Sequence, residues 1–135
     1  TRRSSDLDNN IVLCNDSAYN EIIKEDKEPI SLMQYDVLRK NVEFGTLSKT
    51  YNMTGYRIGY AVGNAKVINA LLKIKSNCDS GQFIPVQKAA VAALNLERDY
   101  VHNIRKIYDE RREVAKNVLL EKNIKFFDTE ATFYL

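Results

Sequence analysis

Short apolar runs bounded by polar residues alternate along this chain with segments of helical periodicity, and that alternation predicts an α/β fold. Asn9-Asn10-Ile11-Val12-Leu13-Cys14 reads as a buried parallel strand. Val42 to Leu47 reads as a second strand, and Ile58-Gly59-Tyr60-Ala61-Val62-Gly63 as a third. Between the first two, Glu25-Asp26-Lys27-Glu28-Pro29 predicts a charged surface loop. Ser31 then suits the N-cap of a short helix reaching about Leu38, with Leu32, Tyr35 and Leu38 at helical spacing. Asn64 is a second N-cap, followed by Val67, Ile68, Leu71 and Ile74 on one helical stripe. Lys75 to Phe83 reads as the loop after that helix. Pro85 opens the next one well, having no amide proton to lose, and Val86 to Leu94 is small and apolar enough to be buried. A long amphipathic helix is predicted from Asp99 to about Glu121, with Tyr100, Ile104, Ile107, Val114 and Val118 on one face. A coiled coil is the alternative, but Arg111 falls in the seam and few heptads are available, so a core-facing helix is expected. Thr1 to Asp8 is polar and reads as the end of an upstream helix or a frayed terminus.

The candidate chemistry sits at the strand ends. Lys49 follows the second strand, where a desolvated amine has its charged form disfavoured and a nucleophilic neutral form within reach. The hydroxyls of Thr46, Ser48 and Thr50 surround it in sequence, with Arg57 a short way on, flanked by Gly55 and Gly59. Such a set suits a lysine Schiff base to a cofactor that also carries a phosphate. The first strand delivers Asp16 and, three residues later, Tyr19 to its C-terminal end, the end at which α/β sheets bind ligands.

The run Phe44-Gly45-Thr46-Leu47-Ser48-Lys49-Thr50-Tyr51-Asn52-Met53-Thr54-Gly55-Tyr56-Arg57-Ile58-Gly59, together with this Asp-x-x-Tyr pair, resembles the pyridoxal-phosphate lysine motif of the class I/II (fold-type-I) aminotransferases. The resemblance implies an α/β fold, part of the fold-type-I large domain: a mixed, mostly parallel sheet with flanking helices, then the long linking helix and the start of the small domain. On that view residues 1–98 belong to the cofactor-binding large domain, and residues 99–135 hold the interdomain helix and the beginning of the small one. The resemblance further implies pyridoxal 5'-phosphate as cofactor, Lys49 as Schiff-base lysine and proton shuttle, and Asp16 as partner of the ring nitrogen. Tyr19 would donate to the phenolic oxygen of the ring. Thr46 and Arg57 would hold the phosphate, with Ser48 as a further neighbour. Thr46 stands where many relatives carry serine, and the hydroxyl is kept. The implied reaction is transamination between an amino acid and a 2-oxo acid. Lys49 through Asn64 with Lys75-Ser76-Asn77-Cys78-Asp79-Ser80-Gly81 look most like LL-diaminopimelate aminotransferases, with 2-oxoglutarate as acceptor. The alternatives are another fold-type-I enzyme such as a carbon–sulfur lyase, or a non-catalytic aminotransferase-like regulatory module.

Composition narrows the classes without changing that picture. The 135 residues carry 44% hydrophobic and 28% charged side chains and a net charge of +2, which gives no basic field for nucleic acid. No apolar stretch is long enough to span a membrane. Cys14 and Cys78 make no disulfide framework, and a reducing cytoplasm is expected. His102, the one histidine, has no partner at metal-ligand spacing, so zinc sites and hydrolase triads are poor candidates and no metal is expected. The resemblance also implies a homodimer, and it leaves parts of the site unaccounted for. The phosphate-cradling turn, the aromatic that stacks on the ring and the substrate-carboxylate arginine have no counterpart here. An internal fragment, inactive by itself, is the expectation.

Overall fold

The computed structural model describes residues 11–135. Thr1 to Asp8, and the Asn9-Asn10 start expected for the first strand, lie outside them. Strand β1 (Cys14–Asp16) pairs in parallel with β2 (Val42–Thr46), which pairs antiparallel with β3 (Gly59–Gly63), giving the order β1-β2-β3. The helices are α1 (Leu47–Thr50), α2 (Ala65–Cys78), α3 (Ile84–Leu94) and α4 (Arg98–Glu121).

β1 lies further along the chain than its apolar run. Ile11 and Val12 are 48% and 42% exposed and precede the strand, and Cys14, expected in a buried strand, is exposed. The pairing starts at Leu13, whose N–H donates to Asn41 Oδ1 (3.0 Å) and whose carbonyl accepts from Val42 N (3.0 Å). Glu43, buried in β2, fixes the crossover between the parallel strands. Its carboxylate accepts from Asn15 Nδ2 (2.9 Å), Ser31 Oγ (3.0 Å) and Leu32 N (2.6 Å). A buried carboxylate with three donors is satisfied rather than stranded.

The helix expected from Ser31 to Leu38 is a single 3-10 turn, Leu32–Gln34, although Ser31 and Gln34 do form a capping box. Val37 and Leu38 are 87% and 54% exposed, so no packed face repays further turns. Asp36 instead accepts from Lys40 N and Asn41 N, folding the chain straight into β2.

Gly59 is required by the strand pairing itself. A Cβ there would stand 2.6 Å from the Gly45 carbonyl oxygen, so this glycine permits the close β2–β3 pairing. Gly55 has open space around it.

Leu47, expected to end the second strand, starts α1, because Thr46 accepts Ser48 N on its own side chain and caps the helix. Below it, Leu47, Met53, Ala90 and Ala93 form the core cluster, with Tyr51, Ile58 and Ala89 against it. α3 buries only these small alanines, which allow close approach, while Val91 and Leu94 stay 59% and 56% exposed. α2 begins on Asn64, whose side chain accepts from Lys66 N and Val67 N, and it runs through Lys75 to Cys78 where a loop was expected.

The largest departure from the sequence reading is in α4. Ile107, Val114 and Val118 are 42%, 66% and 50% exposed, and the helix buries Arg105 and Arg112. Arg105 donates to the Glu21 carbonyl (2.8 Å) and pairs with the Glu21 carboxylate. Arg112 donates to the Thr132 carbonyl (3.0 Å), Thr129 Oγ1 (2.8 Å) and Asp128 Oδ1 (3.1 Å). α4 is therefore a polar staple between the segment after β1 and the last residues of the chain. Those two segments also meet directly, through an Ile23–Ala131 bridge and a Thr132 N–H bond to the Ile22 carbonyl (2.6 Å).

Candidate active site

β1 and β2 are parallel neighbours with Asp16 opposite Phe44, so Asp16, Thr46 and α1 lie at the same end of the sheet. This is the carboxyl end, where backbone carbonyls and following turns leave room for a ligand. Asp16 is exposed, and its Oδ1 accepts from Ala18 N (3.3 Å), which turns the chain and sets Tyr19. Tyr19 is half-buried and faces Lys49 across the gap between the strands: the lysine Nζ lies 5.6 Å from the centre of its ring. The amine stands 5.7 Å from the ring of Phe133 as well. Lys49 is only partly buried, held in a short aromatic notch on α1 rather than enclosed at a strand tip.

A small polar cavity of about 160 Å³ opens beside it, lined by Thr46, Ser48, Arg57, Ile58 and Gly59. Thr46 Oγ1 donates to the Ile58 carbonyl (3.1 Å) and accepts from Ser48 N (3.1 Å), which ties α1 to the approach to β3. Its oxygen is also 3.0 Å from Ser48 Oγ. Arg57 has φ 52°, in the left-handed region that costs a non-glycine residue roughly 1–3 kcal/mol. That conformation swings its guanidinium to the cavity, where one nitrogen donates to the Thr54 carbonyl (3.1 Å) and the rest of the fork is exposed.

Two hydroxyls and a planar cation around one cavity match a phosphate by charge, donor count and geometry. An amine over an aromatic ring next door matches an aldehyde-bearing ring. The residues therefore fit pyridoxal phosphate. The structure gathers Tyr19 with Lys49, and Thr46 and Ser48 with Arg57, at one end of the sheet. Asp16 shares that end through the β1–β2 register.

The sequence reading missed the aromatic pair at the end of the chain. Phe133 packs edge-on to Tyr19 (5.3 Å between centres), and Tyr134 Oη lies 2.8 Å from Tyr19 Oη. Two adjacent aromatics in an apolar run were the only available signal, and a run of that kind reads as core. The two buried arginines of α4 were also missed.

Comparison with known proteins identifies the family. The family described as aminotransferase class I and II matches residues 6–135. The LL-diaminopimelate aminotransferase of Natranaerobius thermophilus is 45% identical over 94% of this chain, and that of Aquifex aeolicus 42% identical over 93%. In both cases the chain spans 33% of the relative's own length. Among solved structures, substrate-bound BacF from Bacillus subtilis is 30% identical, with a TM-score of 0.89, over 98% of this chain and 34% of its own. A family match over residues 6–135, nearly the whole chain, leaves a single assignment: the chain belongs to the class I and II aminotransferases.

Proposed function

We propose that the whole protein is a pyridoxal-phosphate-dependent aminotransferase, moving an amino group between an amino acid and a 2-oxo acid. LL-diaminopimelate as donor and 2-oxoglutarate as acceptor form the leading pair, on the strength of the relatives that bear that name. The observation that carries the reading is the meeting of two features at one sheet end: the Lys49 amine over the Tyr19 ring, and the cavity shared by Thr46, Ser48 and Arg57. A phosphorylated aldehyde uses both at once.

When bound, the cofactor supplies an electron sink for the carbanion left when the substrate loses its α-proton. The residues of this chain do the rest. Arg57 would grip the phosphate through its fork, with the Ser48 hydroxyl as a further donor and the Thr46 hydroxyl joining once it turns from the Ile58 carbonyl. Asp16 would hold the ring nitrogen in its protonated form, which keeps such a ring electron-poor. Tyr19 donates to the phenolic oxygen. Lys49 would hold the cofactor by its aldehyde and, once freed, would serve as the acid and base that moves the substrate's α-proton. The rings of Tyr19 and Phe133 keep water from part of the amine and fix its direction. On this reading residues 1–98 belong to the cofactor-binding domain, residues 99–135 link it to the small domain, and the whole protein works as a cytoplasmic homodimer.

The test is borohydride reduction of the full-length protein loaded with pyridoxal phosphate, followed by peptide mass mapping. The expected label is a pyridoxyl group on Lys49, absent in Lys49→Ala, with turnover of LL-diaminopimelate and 2-oxoglutarate lost in the same variant. A label on another lysine, with turnover intact in Lys49→Ala, refutes the assignment.

A further inference from the structure

Tyr19 is asked to donate its single hydroxyl proton to a cofactor oxygen, yet its oxygen already lies 2.8 Å from Tyr134 Oη. A phenol has one proton and can accept as well as donate. The two demands agree only if Tyr134 is the donor to Tyr19, which leaves the Tyr19 proton free to point at the ligand. Tyr134 holds its proton more tightly than an ordinary tyrosine, first through its hydrogen bond with Tyr19 and then through burial, against a smaller opposing pull from the Lys49 charge. The groups that face Tyr19 are thus Lys49 from α1 and the Phe133–Tyr134 pair from the end of the chain.

The chain is built to hold that pair in place. Thr132 has φ 66°, a left-handed conformation that is a marked outlier for a β-branched residue. Strain of this kind persists only where the surroundings over-determine it. Here they do: Thr132 N donates to the Ile22 carbonyl, its own carbonyl accepts from buried Arg112, and its hydroxyl accepts from Tyr134 N (3.2 Å). The turn brings Phe133 against both Tyr19 and Tyr108, each at 5.3 Å between ring centres, and sets Tyr134 at 69° to Tyr19.

We propose that Tyr134 is a positioning residue for Tyr19: held by the Thr132 turn and Arg112, it donates to the Tyr19 hydroxyl and so orients and strengthens Tyr19 as a donor to the phenolic oxygen of the cofactor. The first half of this statement stands on the geometry, and the second rests on the function proposed above. Chained hydrogen bonds polarise one another, so a donor to Tyr19 makes Tyr19 the better donor. A stronger donor favours the unprotonated, anionic state of the cofactor oxygen and its conjugated lysine nitrogen.

The experiment uses the full-length protein with Tyr19→Phe, Tyr134→Phe and the double variant, with and without pyridoxal phosphate. Without cofactor, each single variant lowers the melting temperature, and the double variant melts no lower than the worse single one, because either change already breaks the bond. Additive shifts, or no shift, overturn the contact. With cofactor, the visible band of the lysine-bound form is titrated with pH. Tyr134→Phe moves the midpoint up, in the direction of Tyr19→Phe and by less, and adds nothing to Tyr19→Phe in the double variant. A purely structural role for Tyr134 moves the melting temperature and leaves this midpoint where it was, which overturns the inference while the functional reading stands. A wild-type protein with no visible band and no reducible adduct on Lys49 defeats the functional reading itself, and the role of Tyr134 toward the cofactor with it.

Discussion

Arg112→Met isolates the staple that seats the last segment of the chain beside Lys49. The guanidinium side chain is 4% exposed and donates to the Thr132 carbonyl at 3.0 Å and the Thr129 hydroxyl at 2.8 Å. Hydrogen bonds from a charged group contribute about 1.5–3 kcal/mol each, so the two together bring about 3–6 kcal/mol. Three effects reduce this figure. Thr129 and Thr132 are only half-buried, so water can replace the lost donor. Asp128, the third partner, is exposed and keeps Lys116 at 2.9 Å, so its charge is not stranded. Arg112 Nε is buried without a partner, and methionine removes that penalty of about 1–3 kcal/mol while keeping most of the packed stem.

The net expectation is a loss of about 2–3 kcal/mol, concentrated in the segment that Arg112 holds. At about 1.4 kcal/mol per factor of ten, that is about a 30- to 150-fold faster hydrogen exchange at Thr132 and Tyr134 amides. Exchange mass spectrometry on peptides covering Asp128 to Leu135 reads it directly, with α2 as the internal reference. Modification of Lys49 by an amine reagent should rise in parallel, because Phe133 leaves its amine. Exchange at those amides unchanged in Arg112→Met would refute the claim that the arginine seats this segment.

Gly63→Ala should destabilise strongly, since its Cβ would stand 2.2 Å from the Asn41 carbonyl oxygen at φ +140°. The strain and clash together come to about 2–6 kcal/mol by urea melts. Gly55→Ala, with open space around it, should be neutral or stabilising by up to about 1 kcal/mol in the same measurement. Arg57→Lys in the full-length protein should weaken pyridoxal-phosphate binding about 10- to 150-fold by equilibrium dialysis. That is the loss of one charge-assisted bond of about 1.5–3 kcal/mol, since lysine cannot reproduce the fork. Burial, with Glu43 adding to it, raises the Tyr60 hydroxyl above its ordinary 10.0, so folding favours the protonated form. That stability is complete below pH 10.0 and is lost as pH rises through the folded value, and Tyr60→Phe should flatten this alkaline decline in melts on either side. Asp128, held below the usual carboxylate range chiefly by its bond from Lys116, gives the opposite limb: its stability is present above that range and lost as pH falls through the folded value, and Asp128→Asn should remove it.

What was legible in the sequence follows from how far each contact reaches along the chain. Thr46, Ser48, Lys49 and Arg57 fall within one short stretch, and the cap at Thr46 is itself a contact two residues long. Local chemistry of that kind is written in residue order, so the grouping of these side chains was legible before the fold was known. Asp16 and Tyr19 were legible through a parallel strand, and their end of the sheet was right even though the strand began later than its apolar run. The α4 face was read wrongly because helical periodicity counts apolar side chains and has no way to see a carbonyl waiting for a cation. Arg112 finds its acceptors across a turn, at Thr129 and Thr132, and Arg105 finds Glu21 a separation of 84 residues away. Once those partners exist, burying arginine there satisfies carbonyls that no apolar residue could, and Ile107, Val114 and Val118 are left facing outward. Tyr134 and Tyr19 are separated by 115 residues. Nothing in either neighbourhood announces the other, and the pair becomes visible only when the strained Thr132 turn and the Arg112 staple close the distance. The same division sets what each substitution can reveal: changes at Thr46 or Arg57 probe chemistry that neighbours in sequence already encode, whereas changes at Arg112 or Tyr134 probe whether the long-range fold delivers a donor to the place where that chemistry needs one.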